Sequence, residues 1–162
     1  MEYKTGESAP LGGALSRETP CIGLVLLAAG QSRRMGTNKQ LLPWRGKTIL
    51  DAVCHALQIG WEQTNPSWDL KNYPMVAVTA GDHDIDHIAS SYGFSIIHNE
   101  CSNLGQGTSI ALGVQYLMNE FGTHALDGII CSVSDQPLLN PMVVEQIITS
   151  FQQHRDETNR TI

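Results

Sequence analysis

The sequence predicts an α/β fold built on a mostly parallel β-sheet. Four short apolar runs, bounded by glycine, proline or polar residues, are typical of strands buried on both faces. The runs span Ile22–Ala28, Met75–Thr79, 94–97 and Gly128–Val133. Segments with helical spacing of apolar residues separate them, and strands that alternate with helices form parallel sheets through crossover connections. A chain of 162 residues that is 41% hydrophobic can supply one such core.

The helical segments alternate regularly with the strands. Their apolar positions are Ile49, Val53, Ala56 and Leu57; Ile85, Ile88 and Ala89; Ile110, Leu112, Val114 and Leu117; and Val143, Val144, Ile147, Ile148 and Phe151. A polar stretch with an Asn-Pro pair, residues 61–73, is expected to interrupt the first crossover as a surface excursion. We therefore predict a flexible leader at 1–20, one domain at 21–153 and a polar tail at 154–162.

Composition excludes several classes of protein. A net charge of −6 argues against a general nucleic-acid binder, because no overall positive field would attract phosphate backbone. No apolar run approaches the roughly 18 residues of a membrane span, and the first 20 residues lack the continuous apolar core of a signal peptide. The cysteines at 21, 54, 101 and 131 form no C-x-x-C pair, so we expect buried, reduced thiols in a cytoplasmic protein.

Five of the ten basic residues lie between positions 33 and 47, directly after the first strand. Charge alone is compatible with a solvated loop. However, open α/β sheets bind ligands beyond the carboxyl ends of their strands. Gly30 allows a ligand to approach the backbone closely, and Arg34 and Lys39 add positive charge. This combination predicts a site for a triphosphate.

Two common phosphate motifs are absent from this segment. The G-K-T sequence at 46–48 has Leu41 where a P-loop requires its first glycine. Ser32 occupies the second glycine position of a dinucleotide-binding fingerprint, and no acid stands at the clear spacing of a ribose ligand. An ordinary P-loop enzyme and a dehydrogenase-like dinucleotide domain are therefore both disfavoured.

The segment LAAGQSRRMGTNKQLLPW, residues 27–44, resembles the signature of the MobA-like nucleotidyltransferases. The resemblance is strongest to the molybdenum cofactor cytidylyltransferase branch, and it extends from residue 22 to about residue 151. It implies a Rossmann-like sheet with helices on both faces, of the nucleotide-diphospho-sugar transferase type. The family's later G-D-x-G-type segment, which carries a second metal ligand, has no match in this sequence. The chain is therefore expected to be a C-terminally shortened member.

The resemblance also assigns roles to the first loop. It implies that the backbone of Leu27, Ala28, Ala29 and Gly30 faces the base and phosphates of the nucleotide. Arg34 would clamp the outer phosphates, and Lys39 would contact the phosphate under attack. Ala29 distinguishes the L-A-A-G of the cytidylyltransferase branch from the L-A-G-G of the guanylyltransferase branch. CTP is accordingly the expected nucleotide.

Asp135 follows the last predicted strand in the sequence S-D-Q-P. From the residues alone, it is as well suited to a turn or a helix cap as to a metal site. The resemblance to the family's D-x-P motif implies a ligand of Mg²⁺. Asn99, Gly105 and Ser109 are spaced as in a family segment that contributes to nucleotide contacts and to the acceptor side. Capping of the following helix by Thr108 or Ser109 is the structural alternative.

A pair of histidines, His83 and His87, is four residues apart among several aspartates. This spacing could place two imidazoles on one helical face as metal ligands. The simpler interpretation is an acidic helix start, with Asp82 or Asp84 as the cap and solvated histidines. No third ligand stands at a zinc-site spacing, so we favour the helix start.

The expected activity is transfer of a nucleoside monophosphate from an NTP to a phosphorylated acceptor, with release of pyrophosphate. Such a reaction depends on alignment and charge neutralisation, which Arg34, Lys39 and Mg²⁺ on Asp135 would provide. The resemblance suggests a phosphorylated pterin, molybdopterin, as acceptor, and a molybdoenzyme or its maturation factor as protein partner. The alternative is a non-catalytic nucleotide-binding or cofactor-chaperone module that keeps the loop but lacks the complete chemistry.

Overall fold

The computed structural model describes residues 21–30, 38–65, 73–122 and 126–159, with side chains described as far as residue 155. The predicted leader, Arg33 and Arg34, and residues 66–72 of the predicted excursion lie outside the described residues. Within the described part, strands and helices alternate along the chain as the sequence predicts.

The main sheet has four parallel strands in the order β5–β4–β1–β6. These strands are β1 (Ile22–Ala28), β4 (Met75–Thr79), β5 (Ser95–His98) and β6 (Gly128–Val133). The predicted bounds are confirmed except at β5, which is displaced by one residue: the Phe94 N–H donates to the Ala89 carbonyl, and the pairing with β4 begins at Ser95. The α/β fold with a parallel sheet is thus confirmed.

A small antiparallel hairpin lies between β1 and the first helix. Its strands are β2 (Pro43–Trp44) and β3 (Lys47–Thr48), and Trp44 pairs with Lys47. The helices are α1 (Ile49–Thr64), α2 (His83–Ser91), α3 (Gln106–Phe121) and α4 (Pro141–Asn159). Two short 3-10 turns, Lys39–Leu41 and Ser102–Leu104, precede the hairpin and α3.

Alternation along β1 divides the core between the two faces of the sheet. Leu24 and Leu26 belong to the cluster that contains the apolar faces of α1, α2 and α4. Val25 points to the opposite face, where Leu117 of α3 completes a second cluster. Helix α3 lies very close to the sheet, since a Cβ added at Gly113 would stand 2.4 Å from the Val25 side chain. Helices therefore cover both faces, as the prediction required.

The helix starts carry local signals that the sequence contains. Thr48 and Asp51 form a reciprocal capping box at the start of α1. The Asp82 carboxylate caps α2 by accepting hydrogen bonds from the N–H groups of Asp84 and Ile85, which confirms the predicted acidic start. For α3 the predicted cap is wrong, because Gly105 occupies the N-cap position and no side chain caps it.

The predicted surface excursion begins too early. Helix α1 continues to Thr64, and the Trp61 side chain is fully buried. Its indole N–H donates to the Ile22 carbonyl at 2.6 Å, and its ring packs against Tyr73 with 4.6 Å between centroids. Residues at both ends of the polar stretch therefore belong to the core.

Helix α4 also extends further than expected. It passes the predicted domain end at residue 153 and continues to Asn159, so the predicted tail is largely helical. Arg155 forms an ion pair with Asp127, which precedes β6. None of the helices in the described ranges has the length and apolar character needed to cross a membrane.

The cysteines differ in burial. Cys21 and Cys54 are buried, as expected, and burial raises the pKa of the Cys54 thiol far above its usual range. Cys101 and Cys131 are exposed, so the expectation of burial is wrong for them. Cys131 lies on β6, the outermost strand on that side of the sheet within the described ranges, and its apolar neighbours in sequence do not reveal that position.

Candidate active site

The candidate site lies at the carboxyl ends of β1 and β6. The chain proceeds from β1 outward to β4 and β5 and then returns to place β6 on the other side of β1. The crevice between β1 and β6 is therefore where the strand order reverses, and open α/β sheets bind ligands at such positions. A cavity of about 220 Å³ opens there.

Most of the predicted site residues line this cavity. They are Leu27, Ala29, Gly30, Lys39, Gly105, Ser109 and Asp135. Ala28 is buried directly behind the loop, and Asn99 is buried behind the start of α3. Arg34 lies outside the described residues. The structure thus brings together segments from four separate parts of the chain.

Lys39 and Asp135 meet at the centre of this arrangement, although 96 residues separate them in sequence. The Lys39 ammonium donates to Asp135 Oδ2 at 3.1 Å, and each side chain is 45% exposed. Among the described residues, Oδ1 of Asp135 has no hydrogen-bond partner. A half-exposed pair of this kind contributes little to stability, and both groups are accessible to an anion or a cation from solvent.

Gln40 supports the loop from below, a role that the sequence did not reveal. Its side chain is buried, and Nε2 donates to the carbonyls of Ala28 at 3.2 Å and Gly30 at 3.5 Å. The two carbonyls fix which end of the amide carries nitrogen, so Oε1 points away, and it has no partner within the described part of the chain. Gln40 occupies a variable position of the motif, and its partners are backbone groups, so no sequence signal could have found it.

Ser134 fixes the end of β6 against the end of β1. Its hydroxyl donates to the Leu27 carbonyl at 2.9 Å across 107 residues of sequence. This contact orients the turn that carries Asp135 toward the loop that carries Lys39. The sequence shows only a serine directly after a predicted strand, and its partner could not be known before the strand order.

Asn99 holds the start of α3. Its side-chain amide donates to the hydroxyls of Thr108 and Ser109, each at 2.8 Å, and its Oδ1 accepts from the Cys101 N–H at 2.9 Å. Gly105 has a φ of 111°, which side chains rarely tolerate, and this conformation lets α3 begin facing the cavity. The N-terminus of a helix attracts negative charge, so this edge suits an anionic ligand.

The other end of the sheet edge has a different character. His98 Nε2 lies 2.8 Å from Asp86 Oδ2, and the Thr79 hydroxyl donates to Oδ1 of the same carboxylate at 2.6 Å. These groups satisfy one another. His83 and His87 stack with 6.5 Å between ring centroids, and no cluster of three or more metal-ligating side chains occurs among the described residues.

Comparison with known protein families places the whole of this arrangement in one domain type. The MobA-like NTP transferase domain matches residues 24–159. The chain belongs to this family. The match includes both the loop after β1 and the turn after β6, so the two halves of the cavity fall within a single MobA-like domain.

Two curated relatives match the same part of the chain. The chain is 26% identical over 139 residues to a nicotine blue oxidoreductase of Paenarthrobacter nicotinovorans, covering 85% of this chain and 61% of the relative. It is 22% identical over 139 residues to a probable molybdenum cofactor guanylyltransferase of Natranaerobius thermophilus, covering 85% and 58%. The chain thus spans about three fifths of the length of these relatives.

Solved structures support the MobA-like fold. A nucleotidyl transferase of Methanothermobacter thermautotroptrophicus superposes with a TM-score of 0.59 at 22% identity, over 80% of this chain and 57% of that one. A protein of Mycobacterium tuberculosis H37Rv, solved as a manganese complex, superposes with a TM-score of 0.57 at 21% identity, over 82% and 60%. At this identity the likeness establishes the fold alone.

Proposed function

We propose that this chain transfers the nucleoside monophosphate of an NTP, preferably CTP, to a phosphorylated acceptor, preferably molybdopterin. The observation that carries the proposal is the meeting of Lys39 and Asp135 at the point where the strand order reverses, beside a motif typical of NTP transferases. An oxygen of the acceptor's terminal phosphate attacks the α-phosphorus, and the bond to pyrophosphate breaks. A molybdoenzyme or its maturation factor would receive the product in the cytoplasm.

The residues at the cavity align the phosphates and neutralise their negative charge. The attacking phosphate is ionised near neutral pH, so the reaction requires little proton transfer and depends on alignment. The Lys39 ammonium supplies a fixed positive charge at the phosphate under attack. The N-terminus of α3 and the backbone around Gly30 face the same cavity and favour the remaining phosphate oxygens. Arg34 is assigned to the outer phosphates on the motif alone.

Asp135 is suited to a divalent metal. Its Oδ1, which has no hydrogen-bond partner in the part of the chain that the structure describes, is the hard carboxylate oxygen that Mg²⁺ prefers, and Mg²⁺ often takes one or two carboxylates together with substrate phosphates and water. When bound, the metal supplies charge neutralisation at the phosphates. Oδ1 can take this role while Oδ2 keeps its contact with Lys39, and the 45% exposure of both side chains leaves the carboxylate accessible from solvent.

The preference for CTP rests on Ala29. This residue is 5% exposed and lines the cavity where the guanylyltransferase branch resembles L-A-G-G. A methyl group here narrows the space for a base, which favours a pyrimidine over the larger guanine. Ala29→Gly is expected to improve kcat/KM for GTP relative to CTP by about tenfold, the scale of one methyl group in a tight pocket. If the ratio of kcat/KM for CTP to kcat/KM for GTP is unchanged, Ala29 does not determine the choice of base.

A pyrophosphate-release assay tests the function directly. CTP, GTP and ATP are each combined with molybdopterin or with glucose 1-phosphate in the presence of Mg²⁺. The proposal requires release that depends on both an NTP and molybdopterin and is fastest with CTP. If pyrophosphate is released with glucose 1-phosphate but not with molybdopterin, the acceptor is a sugar phosphate instead.

A nucleotide-binding module without turnover is the second candidate. The specific observation in its favour is that the Lys39 ammonium already pairs with Asp135, the predicted metal ligand, at 3.1 Å. Calorimetric binding of MgCTP with no pyrophosphate release for any acceptor would support the module. Measurable turnover would exclude it.

A further inference from the structure

The main sheet ends differently on its two sides. Among the described residues, β6 is the outermost strand on one side and β5 on the other. Helix α2 packs against β5 and, with all of its residues described, exposes no large apolar side chain, whereas helix α4 exposes several. Edge strands of soluble proteins are commonly protected by charged residues, proline or a bulge. Strand β6, with the sequence GIICSV, contains neither a charged residue nor a proline and is therefore an unprotected edge.

Three exposed side chains form an apolar stripe along α4. Val143, Ile147 and Phe151 are spaced four residues apart, so they lie on one face of the helix, and they are 44%, 49% and 39% exposed. Ile148, next to the stripe, is fully buried in the core. A Cβ added at Gly128 would lie 3.3 Å from Cζ of Phe151, so the Phe151 ring reaches β6. The three residues, which we call the α4 stripe, therefore run beside the edge of β6.

The outward-facing backbone groups of β6 follow from the register of the sheet. The Leu24 N–H donates to the carbonyl of Pro74, directly before β4, so alternation along the strand turns the N–H and C=O of Val25 toward β6. Val25 is paired with Cys131. In a parallel pair only one of two paired residues uses its own backbone groups, and its bonds go to the neighbours of the other. The N–H and C=O of Cys131 therefore face outward, as do those of the residues two positions before and after it.

Charge is sparse on this side of the molecule. The whole chain has a net charge of −6, so two copies repel each other on approach. Between Pro141 and His154, however, Glu145 is the only Asp, Glu, Lys or Arg residue, and β6 adds none. Two copies can therefore approach along β6 and the α4 stripe with little repulsion.

We propose that this side binds a second copy of the chain, with the two β6 strands paired antiparallel about a twofold axis at Cys131. Cys131 then faces its own counterpart, and Ile129 of each copy faces Val133 of the other. The Val133 carbonyl accepts from the Ser132 hydroxyl at 3.3 Å, and its second lone pair remains for this pairing. The two four-stranded sheets thus become one continuous sheet.

The same axis also brings the two helices together. Because the axis is perpendicular to the sheet, both copies of α4 lie on the same face of the joined sheet, and their stripes meet antiparallel. A twofold axis matches a patch to itself, so no second kind of surface is needed. The exposed stripe, on the order of 200 Å² in each copy, and the paired β6 edges bury about 1,000 Å² in total, the lower limit for a specific interface. The dimer is therefore weak and depends on protein concentration.

The first test measures the mass of the full chain. Sedimentation velocity over a wide range of protein concentrations should show a monomer that converts to a dimer and to nothing larger, because a twofold interface is closed. Ile147→Glu should raise the dimer dissociation constant by roughly 100-fold, since like charges then meet across the axis. Leu112→Glu, at an exposed leucine of α3, is the matched control and should dimerise as the unmodified chain does. A chain that stays monomeric at every concentration, or an Ile147→Glu variant that dimerises normally, would overturn the proposal.

The second test reverses the charge at one position of the α4 stripe. Ile147→Glu and Ile147→Lys should each be monomeric, because each variant brings like charges together. An equal mixture of the two should recover dimers, since unlike charges then face each other. The position is exposed, so circular dichroism should show the unmodified fold in both variants. A mixture that stays monomeric would mean that the two stripes do not meet, and the twofold arrangement would be wrong.

The third test locates the axis by cross-linking. Directly opposed residues of a hydrogen-bonded antiparallel pair have Cα atoms about 5.5 Å apart, so a short bis-maleimide should join Cys131 to its counterpart. Cys101 is also exposed and is replaced first, as Cys101→Ser. This variant should form a covalent dimer, and adding Cys131→Ser or Ile147→Glu should abolish it. If the Cys101→Ser variant dimerises in sedimentation but gives no cross-linked product, the interface lies elsewhere and the proposal fails.

Discussion

Two aspartates flank β6, and each forms an ion pair with a cation distant in sequence. Asp127, ahead of the strand, pairs with Arg155 through Oδ1 and accepts a hydrogen bond from the Cys21 N–H through Oδ2 at 2.8 Å. Asp135, after the strand, pairs with Lys39 through Oδ2. The same chemical pair thus occurs at both ends of one strand.

The two carboxylates differ in how many of their oxygens already have a partner in the protein. Both oxygens of Asp127 are held by the protein, so its charge joins α4 to the start of β1. Asp135 lines a cavity, and within the described ranges only its Oδ2 has a hydrogen-bond partner; its pair contributes little to stability. The Asp127–Arg155 pair therefore suits a structural role, whereas the Lys39–Asp135 pair is exposed to solvent. Substitutions at the two ends should therefore separate stability from activity.

The largest effect is expected from Asp135→Asn, which keeps the shape of the side chain and removes its charge. Turnover should fall by roughly 100-fold or more, the scale seen when one preorganised charge is removed from a reaction centre. The free energy of unfolding should change by only about 0–1 kcal/mol, because the lost pair is half-exposed. Steady-state kinetics at several Mg²⁺ concentrations, with thermal denaturation as control, measures both. Full turnover in this variant would remove Asp135 from the reaction.

Lys39→Ala should have the next largest effect. Loss of the ammonium is expected to lower turnover by roughly 10- to 100-fold while CTP affinity falls less, since the charge acts most strongly where negative charge develops. Lys39→Arg is the matched control and should recover part of the rate, because it keeps the charge but changes its position. Kinetics combined with CTP calorimetry separates the two quantities. An unchanged turnover in Lys39→Ala would contradict the assignment.

Asp127→Ala should lower stability and leave the reaction unchanged. Removing the carboxylate leaves the buried Cys21 N–H without its side-chain acceptor and Arg155 without its partner, so the free energy of unfolding should fall by about 1–2 kcal/mol. The KM values for CTP and molybdopterin should stay the same at temperatures where the chain is folded. Denaturant unfolding measures the first quantity. If turnover falls while the free energy of unfolding is unchanged, Asp127 contributes to the reaction and its role is not structural alone.

The sequence predicts the fold well because its strands are buried on both faces. Runs such as Ile22–Ala28 leave no polar face, and that pattern indicates a parallel sheet without any knowledge of its partners. The errors arise where tertiary contacts outweigh local composition. Trp61 stands among polar residues, yet Tyr73 and the Ile22 carbonyl bury it, and neither contact is visible in the sequence.

The sequence predicts only part of the candidate site. Lys39 follows from the motif. The position of Asp135 after a strand predicts only its place at the shared edge of the sheet, and its role as a metal ligand follows from the resemblance to the D-x-P motif. Gln40 and Ser134 could not be predicted, since each acts on a backbone carbonyl of β1 or its loop. A backbone carbonyl is present at every residue, so the residue types do not indicate which one accepts the hydrogen bond. Which residues meet also depends on the strand order, which the sequence does not show.

A third aspartate, Asp51, is also fully hydrogen-bonded, and its loss should have the smallest effect. Like Asp127 it has both oxygens occupied, here by Thr48 and Tyr92. Burial alone would raise the pKa of Asp51, but hydrogen bonds from Thr48 and Tyr92 and the charge of Lys47 lower it below 3.8, its ordinary value. A lowered folded-state pKa means that the ionised form stabilises the fold above about pH 4, and that this contribution is lost as the pH falls through the folded-state value.

Asp51→Asn is therefore expected to lower the free energy of unfolding near neutral pH by up to about 1 kcal/mol, the range of a helix cap at a partly exposed site. The stabilities of the variant and the unmodified chain should converge as the pH falls below 4, since the native carboxylate then becomes protonated and loses its advantage. Denaturant unfolding from pH 7 to pH 2.5 measures the convergence. A gap that stays constant across this range would mean that the capping geometry, and not the charge, carries the effect. The comparison among the aspartates would then hold only for the two that flank β6.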